Sequence, residues 1–579
     1  MTDILAVSPA EKEGIRALSE IEKCIANKRC FRLEAGAGAG KTYSLVKTLE
    51  HLIELEGRRM PRLNQRIACI TFTNVAQKEI EAQIDKNPLI HCDTIHGFCW
   101  SIISGYQSQL RSILPELGAW KERLEETGGA GSRRVEYTLG YRRVSDDAIS
   151  LHHDDILPLK IELLKFQKFR NIFRHLYPII LIDEYQDTNS DWIEAIKEQY
   201  LDKEDPPLFG FFGDHWQKIY GKGCGELIHP AIKEIGKGAN FRSVSTIVDC
   251  LNRMRPELEQ FVEDPEKPGE IHVFHTNNWN GARLTGAHYG GDLPDDEASL
   301  ALSNVKNKLL EQGWDFSAGT TKILMLTHRA LGKQQGYSSL PSLFRYNDSF
   351  TKKENAHIAF FVDHLEPACQ AFSDKKFGAM FLALGIKGKY ISKLSDKKSW
   401  SQSMTRLNEL RNSGTVAEVI KHLRETKNPP LPDSVEKVET KLSGFDFESG
   451  EDLPRALDEL KKLHDVKYQE IVSLANYLDG HSPFETKHGV KGAQFENVLV
   501  ILGRGWNQYN FNEMLEWAGT GNVPAGKTNK YENNRNLFYV ACSRPKKRLA
   551  LLFTQELSVS AKQTVSAWFG AENVSAIEI

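Results

Sequence analysis

The chain has 579 residues, of which 40% are hydrophobic and 26% are charged. That length is about four times a common domain of roughly 150 residues, which predicts several domains. The composition is typical of globular proteins and excludes the disordered, collagen-like and membrane classes. With 74 Lys and Arg against 77 Asp and Glu, the net charge is −3, so any site for a polyanion must be local.

The sequence gives no sign of export or of a disulfide framework. No apolar run approaches the roughly 18 residues that span a bilayer, and residues 1–5 have no basic stretch leading into an apolar one. We therefore expect a cytoplasmic protein. The nine cysteines include no C-x-x-C pair, which fits neither disulfides nor a zinc site, and we expect them to be packing residues.

Short apolar runs alternate with helical patterns over the first third of the chain. The runs with β character are 30–35, 67–72, 178–182 and 208–212. Buried strands that alternate with helices predict a parallel α/β sheet, with ligand groups at the C-terminal ends of the strands. The polar, helical pattern of 101–176 predicts an inserted subdomain.

Strand signals return in the second half of the chain, at 323–327, 498–502 and 548–553. Between them, the stretch 335–484 is mostly helical and rich in Lys. This arrangement predicts a second α/β domain that carries an insertion of its own.

A glycine-rich loop follows the first strand signal and opens a helix. Its residues are Ala35, Gly36, Ala37, Gly38, Ala39, Gly40, Lys41 and Thr42. Backbone N–H groups of such a loop cradle phosphates, while the Lys reaches the β/γ oxygens and the Thr ligates Mg²⁺. A second stretch, 521–528, matches the strict G-x-x-x-x-G-K-[ST] pattern but follows no strand, so we expect the first loop to be the nucleotide site and the second to be a surface loop.

Two adjacent carboxylates, Asp183 and Glu184, end the third strand signal. Phosphoryl transfer needs one acidic group to hold Mg²⁺ and another near the attacking water, and neighbours at a strand end suit both roles. Taken alone, the pair fits equally well a cap on the following helix.

Eight segments, taken in order, resemble the helicase motifs of superfamily 1, in its UvrD/Rep-like branch. They are 35–42, 71–74, 94–98, 183–189, 213–220, 240–243, 486–492 and 539–544. The resemblance implies an α/β fold of two RecA-like P-loop domains that bind ATP and Mg²⁺, each with a mainly helical inserted subdomain. The implied boundaries are 1–100 with 177–233 for the first domain, 101–176 for its insertion, 234–334 with 485–579 for the second domain, and 335–484 for its insertion.

The same resemblance implies roles in hydrolysis. Glu184 would be the catalytic base, and Asp183 with Thr42 would hold Mg²⁺. Gln217 would sense the γ-phosphate or position the water, and Arg242 and Arg544 would stabilise the developing phosphoryl charge.

Further residues are implied for the rest of the nucleotide. Phe241 and Tyr43 would stack on the base. Glu11 stands where the family has an adenine-reading Gln, and a carboxylate cannot donate to N7, so we expect relaxed selectivity between ATP and GTP. Gln494 stands where a Glu usually holds the sugar.

Single-stranded DNA contacts follow from the resemblance as well. Stacking on aromatic side chains and contacts to the backbone hold a strand without reading its sequence. Phe72 and Tyr220 would stack, and the implied backbone contacts are Thr71, Asn74, Thr94, His96, Thr486, His488 and Lys491. Because these groups include few cations, we expect a modest dependence of DNA affinity on salt.

Two functions remain open. The first is an ATP-dependent DNA translocase or helicase that moves 3′ to 5′. The second is an ATP-switched sensor of DNA ends that regulates a partner nuclease and unwinds little alone. The short length and small second insertion resemble the helicase-like subunit of Gabija-type anti-phage systems, which works with a separate nuclease.

Overall fold

The computed structural model divides by internal contacts into two compact units. The first comprises Met1–Ile271, Met514–Arg548 and Gln563–Ala571, and the second comprises His272–Glu513, Leu549–Lys562 and Glu572–Ile579. The residues that the structure describes are 7–137, 142–219, 221–286, 289–317, 319–325, 335–345, 348–351, 353–385, 391–446, 452–478, 484–486, 493–504 and 509–579. The grouping places 234–271 and 514–548 with the first unit; the domain boundaries implied by the resemblance stay a prediction.

The chain up to residue 103 builds the start of the first α/β core. Its elements are α1 (Pro9–Ala26), β1 (Phe31–Ala35), α2 (Lys41–Glu56), β2 (Ile67–Thr71), α3 (Asn74–Gln83), β3 (Ile90–Thr94) and α4 (Ile95–Ile103). Every residue of β1 and β2 is buried, as expected of central parallel strands covered on both faces.

The first insertion contains strands as well as helices. Its elements are α5 (Gln107–Ile113), α6 (Lys121–Glu126), β4 (Arg134–Tyr137), β5 (Arg143–Val144), β6 (Ala148–Leu151), α7 (Ile156–Leu164) and α8 (Gln167–Leu176). The strands form a small sheet in the order β4-β6-β5. The expectation of a mainly helical insertion did not anticipate this sheet, because strands of two to four residues are too short to show a period of two.

The core of the first unit continues after the insertion. Its elements are β7 (Ile179–Asp183), α9 (Ser190–Ile196), β8 (Leu208–Gly213), β9 (Lys233–Lys237), β10 (Ala239–Asn240), α10 (Ser245–Met254) and β11 (Phe261–Val262). The sheet has the order β3-β2-β7-β8-β1-β9, and each of its neighbouring pairs is parallel. The C-terminal ends of β1, β2, β7 and β8 therefore lie along one edge, where ligands bind in open α/β sheets.

The second unit has a sheet of its own. The elements between residues 270 and 325 are β12 (Glu270–His275), α11 (Asp295–Glu311) and β13 (Thr321–Met325). The strands after the helical region are β14 (Phe484–Thr486), β15 (Phe495–Leu502), β16 (Pro545–Phe553) and β17 (Val574–Ala576). The helices that alternate with them are α22 (Phe511–Thr520), α23 (Thr528–Cys542) and α24 (Val559–Phe569), and the grouping by contacts assigns α23 and most of α22 and α24 to the first unit. The sheet has the order β14-β13-β15-β16-β12-β17, with parallel pairing of β13 to β14 and β15 and of β12 to β17.

The region between β13 and β14 is helical in the parts that the structure describes. Its helices are α12 (Leu340–Leu343), α13 (Asp348–Thr351), α14 (Ala356–Phe360), α15 (Glu366–Ser373), α16 (Phe377–Ala383), α17 (Leu394–Ser413), α18 (Val416–Thr426), α19 (Asp433–Ser443), α20 (Arg455–His464) and α21 (Tyr468–Leu478). Leu407 and Ile471 of this bundle share one buried cluster with Met325 and Ile501 of the sheet. Two helix-flanked parallel sheets confirm the predicted fold class. None of the helices in the ranges given above has the length and apolar character needed to cross a bilayer.

Candidate nucleotide site and single-strand contacts

The glycine-rich loop joins the end of β1 to the start of α2. Gly38 has φ of 79° and Gly40 has φ of 71°, in the left-handed region that glycine adopts without steric cost. Helix α2 then begins at Lys41. A tight loop followed by a helix N-terminus is the geometry that binds phosphate through backbone N–H groups.

The loop is fixed in place by residues that come 200 positions later. Asn240 Nδ2 donates to the carbonyl of Ala37 at 3.0 Å, and the backbone N–H of Phe241 donates to the carbonyl of Gly38 at 2.9 Å. A Cβ on Gly36 would lie 2.3 Å from Nε2 of Gln260. A side chain at 36 would displace the buried Gln260 amide, which donates to the carbonyl of Ala37 at 3.2 Å, and these hydrogen bonds fix the position of the loop.

The second match to the phosphate-loop pattern has a different setting. Residues 521–528 connect α22 to α23, and most of them are exposed. A phosphate loop of this type needs a strand before it so that its turn is anchored at a sheet edge. The loop at 35–42 follows such a strand and the loop at 521–528 follows a helix; the nucleotide site stays a prediction.

Asp183 is the last residue of β7, and Glu184 follows it. Strand β7 pairs with β8, which also pairs with β1, the strand that leads into the phosphate loop. Asp183 is buried, whereas Glu184 adopts φ of 49°, which is uncommon for a residue other than glycine. Gln186 Nε2 donates to the Glu184 carboxylate. The cap of α9 is Asn189, whose Oδ1 accepts from the N–H of Trp192 at 3.1 Å, so the carboxylate pair does not cap that helix.

Gln217 lies in the turn that follows β8. Its Nε2 donates to Oδ2 of Asp214 at 2.7 Å, and its Oε1 accepts from Nη2 of Arg544 at 3.4 Å. All three side chains are buried. The structure thus brings two of the predicted catalytic groups into direct contact within the first unit.

The two predicted arginines lie next to each other. Nη1 of Arg242 donates to the carbonyl of Ser543 at 2.9 Å, and its Nε is buried without a hydrogen-bond partner among the described residues. Burial and the Arg242 cation lower the pKa of Arg544, whereas the Glu184 charge raises it. Two neighbouring guanidinium groups form a site that an anion would stabilise.

Two exposed aromatic side chains flank the loop. Tyr43 is 56% exposed and Phe241 is 41% exposed. The ammonium of Lys237 lies 5.9 Å from the Tyr43 ring centroid and 5.8 Å from that of Phe241, and it donates to Oγ of Ser44 at 2.7 Å. Burial and the nearby Lys41 lower the pKa of Lys237 to about 8. The rings suit the stacking role that the sequence predicts for them.

Glu11 and Gln494 lie in different units. The Glu11 carboxylate accepts from the N–H of Ser8 at 2.8 Å, and Ser8 Oγ accepts from the N–H of Glu11 at 3.2 Å, which makes a capping box for α1. Glu11 is therefore engaged in capping. Gln494 belongs to the second unit and is exposed just before β15.

The predicted DNA contacts of the first unit share the sheet edge with the loop. Thr71 and Thr94 are register partners at the ends of β2 and β3, Phe72 is 37% exposed, and Asn74 begins α3. Thr94 caps α4 by accepting from the N–H of Gly97 at 3.3 Å.

His96 is stacked on a side chain of the first insertion. Its ring lies 3.5 Å, centroid to centroid, from that of His153, and burial together with the His153 charge lowers the pKa of His96 to about 4. His96 is therefore neutral at pH 7. Of the other predicted contacts, Tyr220, His488 and Lys491 lie outside the described residues, and Thr486 is described only as the last residue of β14.

Sequence reasoning missed a buried polar network behind the loop. Glu34 on β1 and Arg255 after α10 are both almost fully buried and bonded to each other at 3.0 Å. Glu34, Asp214 and His215 have the ligand types and spacing of a metal site, but Arg255 is bonded to both carboxylates and supplies the cation there. The two charged residues within the run 30–35, Arg32 and Glu34, were the signal in the sequence that hinted at this network.

Comparisons with known proteins find relatives of this chain. A sequence profile for an AAA domain matches residues 19–222. Gabija protein GajB of Bacillus cereus is 22% identical over 95% of this chain and 96% of its own length. The ATP-dependent DNA helicases PcrA of Staphylococcus epidermidis and Rep of Escherichia coli are 22% and 23% identical, over 59% and 48% of this chain. The matched parts span 49% of PcrA and 50% of Rep.

Proposed function

The chain belongs to the UvrD/Rep-like branch of the superfamily 1 helicases, and from that membership we propose that it couples ATP hydrolysis to movement along single-stranded DNA. The expected direction is 3′ to 5′, which follows from the family resemblance. The observation that carries the proposal is the contact of Gln217 with Arg544 in the unit that also holds the phosphate loop.

The residues present fit ATP with Mg²⁺. The hydroxyl of Thr42 and the carboxylate of Asp183 are the oxygen ligands that Mg²⁺ prefers, and Asp183 lies at the end of a buried strand. When bound, Mg²⁺ would neutralise charge on the phosphates. Lys41 would bind the β/γ oxygens, and Glu184 would accept the proton of the attacking water.

Arg242 and Arg544 would stabilise charge that develops on the γ-phosphate. Their mutual proximity is unfavourable without an anion, since like charges in a buried site repel. A triphosphate relieves that repulsion, and the relief is greatest when negative charge spreads over the equatorial oxygens in the transition state.

Substitutions in the phosphate loop and at the strand end test the ATPase. We expect Lys41→Ala and Glu184→Gln to abolish DNA-stimulated ATP hydrolysis, with circular dichroism unchanged. Glu184→Gln should still bind ATP, since it removes only the base, whereas Lys41→Ala should bind weakly. Lys168→Ala is the matched control, because Lys168 is exposed on α8 and lies outside every helicase-like segment. Retained hydrolysis in both site variants refutes the assignment.

The alternative function is an ATP-switched sensor of DNA ends that regulates a partner nuclease. One observation favours it: GajB aligns with nearly the whole of this chain, whereas PcrA and Rep align with about half of it. Strand displacement from a 3′-tailed duplex by the protein alone supports the motor, and a 5′-tailed duplex tests direction. ATP-dependent DNA cleavage only with a nuclease recovered by affinity purification supports the sensor.

A further inference from the structure

A buried carboxylate lies immediately before the phosphate loop. Glu34 is 2% exposed and precedes Ala35, the first residue of the glycine-rich motif. It accepts from Oη of Tyr185 at 2.5 Å and from both the backbone N–H and Nδ1 of His215, at 3.0 and 2.6 Å. Burial alone raises the pKa of Glu34, but these donors and Arg255 outweigh it and hold that pKa below its usual range.

Arg255 connects this carboxylate to a second one. Its Nη2 donates to Glu34 at 3.0 Å and its Nη1 donates to Oδ1 of Asp214 at 2.6 Å. Its guanidinium carbon also lies 5.2 Å from the Trp216 ring centroid. Arg255 is 1% exposed and lies outside every helicase-like segment of the sequence. The planar guanidinium presents two separate donors at a fixed spacing, which an ammonium does not.

Asp214, which is held by Arg255, in turn fixes the orientation of the Gln217 amide. Its Oδ2 accepts from Nε2 of Gln217 at 2.7 Å. Because the amide nitrogen is bound to a carboxylate, the amide oxygen must face the other way, and it is this oxygen that meets Arg544. The position of Asp214 therefore decides which end of the Gln217 amide faces the nucleotide site.

We propose that Glu34 and Arg255 are positioning residues for nucleotide hydrolysis, which act by holding Asp214 so that the Gln217 amide keeps its catalytic orientation. The inference rests on the proposed ATPase function. It adds two residues that lie outside the helicase-like segments of the sequence. Replacing a buried ion pair by apolar residues is often neutral for stability, because desolvation offsets the attraction. Folding alone therefore does not require Glu34 and its two buried arginines, Arg32 at 3.6 Å and Arg255 at 3.0 Å, directly behind the loop. A displacement of about 1 Å at a catalytic group can reduce a rate about 100-fold.

The test compares steady-state ATP hydrolysis of full-length variants. Glu34→Gln keeps the size of the side chain and one acceptor oxygen but loses the negative charge. Arg255→Lys keeps the positive charge but loses the two separate donors of the planar guanidinium. We expect each to lower kcat at least about 10-fold while KM for ATP changes less than about threefold, since ground-state contacts to the nucleotide are intact. Glu366→Gln is the matched control, because Glu366 is a buried carboxylate paired with Arg411 in the second unit; its kcat should match the wild type.

A double-mutant cycle separates positioning from scaffolding. If Glu34 acts through Gln217, the variant Glu34→Gln/Gln217→Ala should be no slower than Gln217→Ala alone. The inference is overturned if the reductions in kcat of the two single variants multiply in the double variant. It is also overturned if the variants change only KM, if kcat is unchanged, or if neither Glu34→Gln nor Arg255→Lys folds. The reference for these comparisons is ATP hydrolysis by the wild type, together with the loss of hydrolysis in Lys41→Ala. If the wild type does not hydrolyse ATP, the proposed function is refuted, and the inference with it.

Discussion

Nη2 of Arg544 lies 3.4 Å from Oε1 of Gln217, although 327 residues separate them in the sequence. The Gln217 amide oxygen, in the turn after β8, thus accepts a hydrogen bond from the buried Arg544 guanidinium. An arginine that stabilises phosphoryl charge contributes about 10³-fold or more to hydrolysis. Because burial in this cluster lowers the pKa of Arg544, its charge is costly to keep there, and a nucleotide is the counter-charge that would offset the cost.

The first prediction concerns Arg544 itself. Arg544→Ala should lower kcat for ATP by about 10³-fold while ATP binding stays within about tenfold of the wild type, because the charge is needed most in the transition state. Stopped-flow hydrolysis and equilibrium binding give the two quantities. Arg548→Ala is the control, since Arg548 is partly exposed and pairs with Glu270. A large loss of ATP affinity with an unchanged kcat contradicts the assigned role.

The second prediction is a pH dependence from Lys237. The pKa of this buried lysine is lowered to about 8, so its positive charge beside Gly40 is present below that pH and is lost above it. Affinity for the anionic nucleotide should therefore fall several-fold between about pH 7 and pH 9. Lys237→Met should bind less tightly at pH 7 and show a flatter profile, measured with a fluorescent ATP analogue. The same fall in affinity in Lys237→Met contradicts this account.

Part of this architecture was predictable from residues alone. The runs 30–35, 67–72, 178–182 and 208–212 correspond to β1, β2, β7 and β8 to within one residue at each end. Strands β2, β7 and β8 are buried on both faces and nearly continuous in hydrophobicity, whereas β1 carries Arg32 and Glu34 at buried positions and was indicated by the glycine-rich loop that follows it. The contact of Glu34 with Arg255 was not predictable, since 221 residues separate them and a lone arginine after a helix carries no periodic signal. The sheet in the first insertion was missed because its strands are short and partly exposed.

The third prediction concerns the DNA contact at Phe72. This ring is 37% exposed at the end of β2, and stacking of one base on an aromatic side chain contributes about 1–3 kcal/mol. Phe72→Ala should weaken binding of single-stranded DNA between about 5-fold and 150-fold and leave ATP hydrolysis without DNA unchanged. Fluorescence anisotropy with a labelled oligonucleotide measures the affinity. Val75→Ala is the control, because Val75 is an exposed apolar residue on α3 that offers no ring; an equal loss in both variants argues against stacking.

The fourth prediction concerns stability and arises from Lys160 on α7. This side chain is fully buried, its Nζ has no hydrogen-bond partner among the described residues, and it lies 3.8 Å from the Phe173 ring centroid. Burial lowers its pKa to about 8.

Between about pH 8 and pH 10.5 the unfolded chain keeps the proton of Lys160 and the folded chain does not. The free energy of unfolding should therefore rise with pH in that window, by an amount on the order of 3 kcal/mol from this group. Lys160→Met removes the buried charge, so at pH 7 it should raise the urea midpoint and remove that part of the pH dependence. Lys168→Met, at an exposed position on α8, should leave both unchanged. A lower urea midpoint for Lys160→Met at pH 7 would mean that contact with Phe169 and Phe173 outweighs the cost of burying the ammonium.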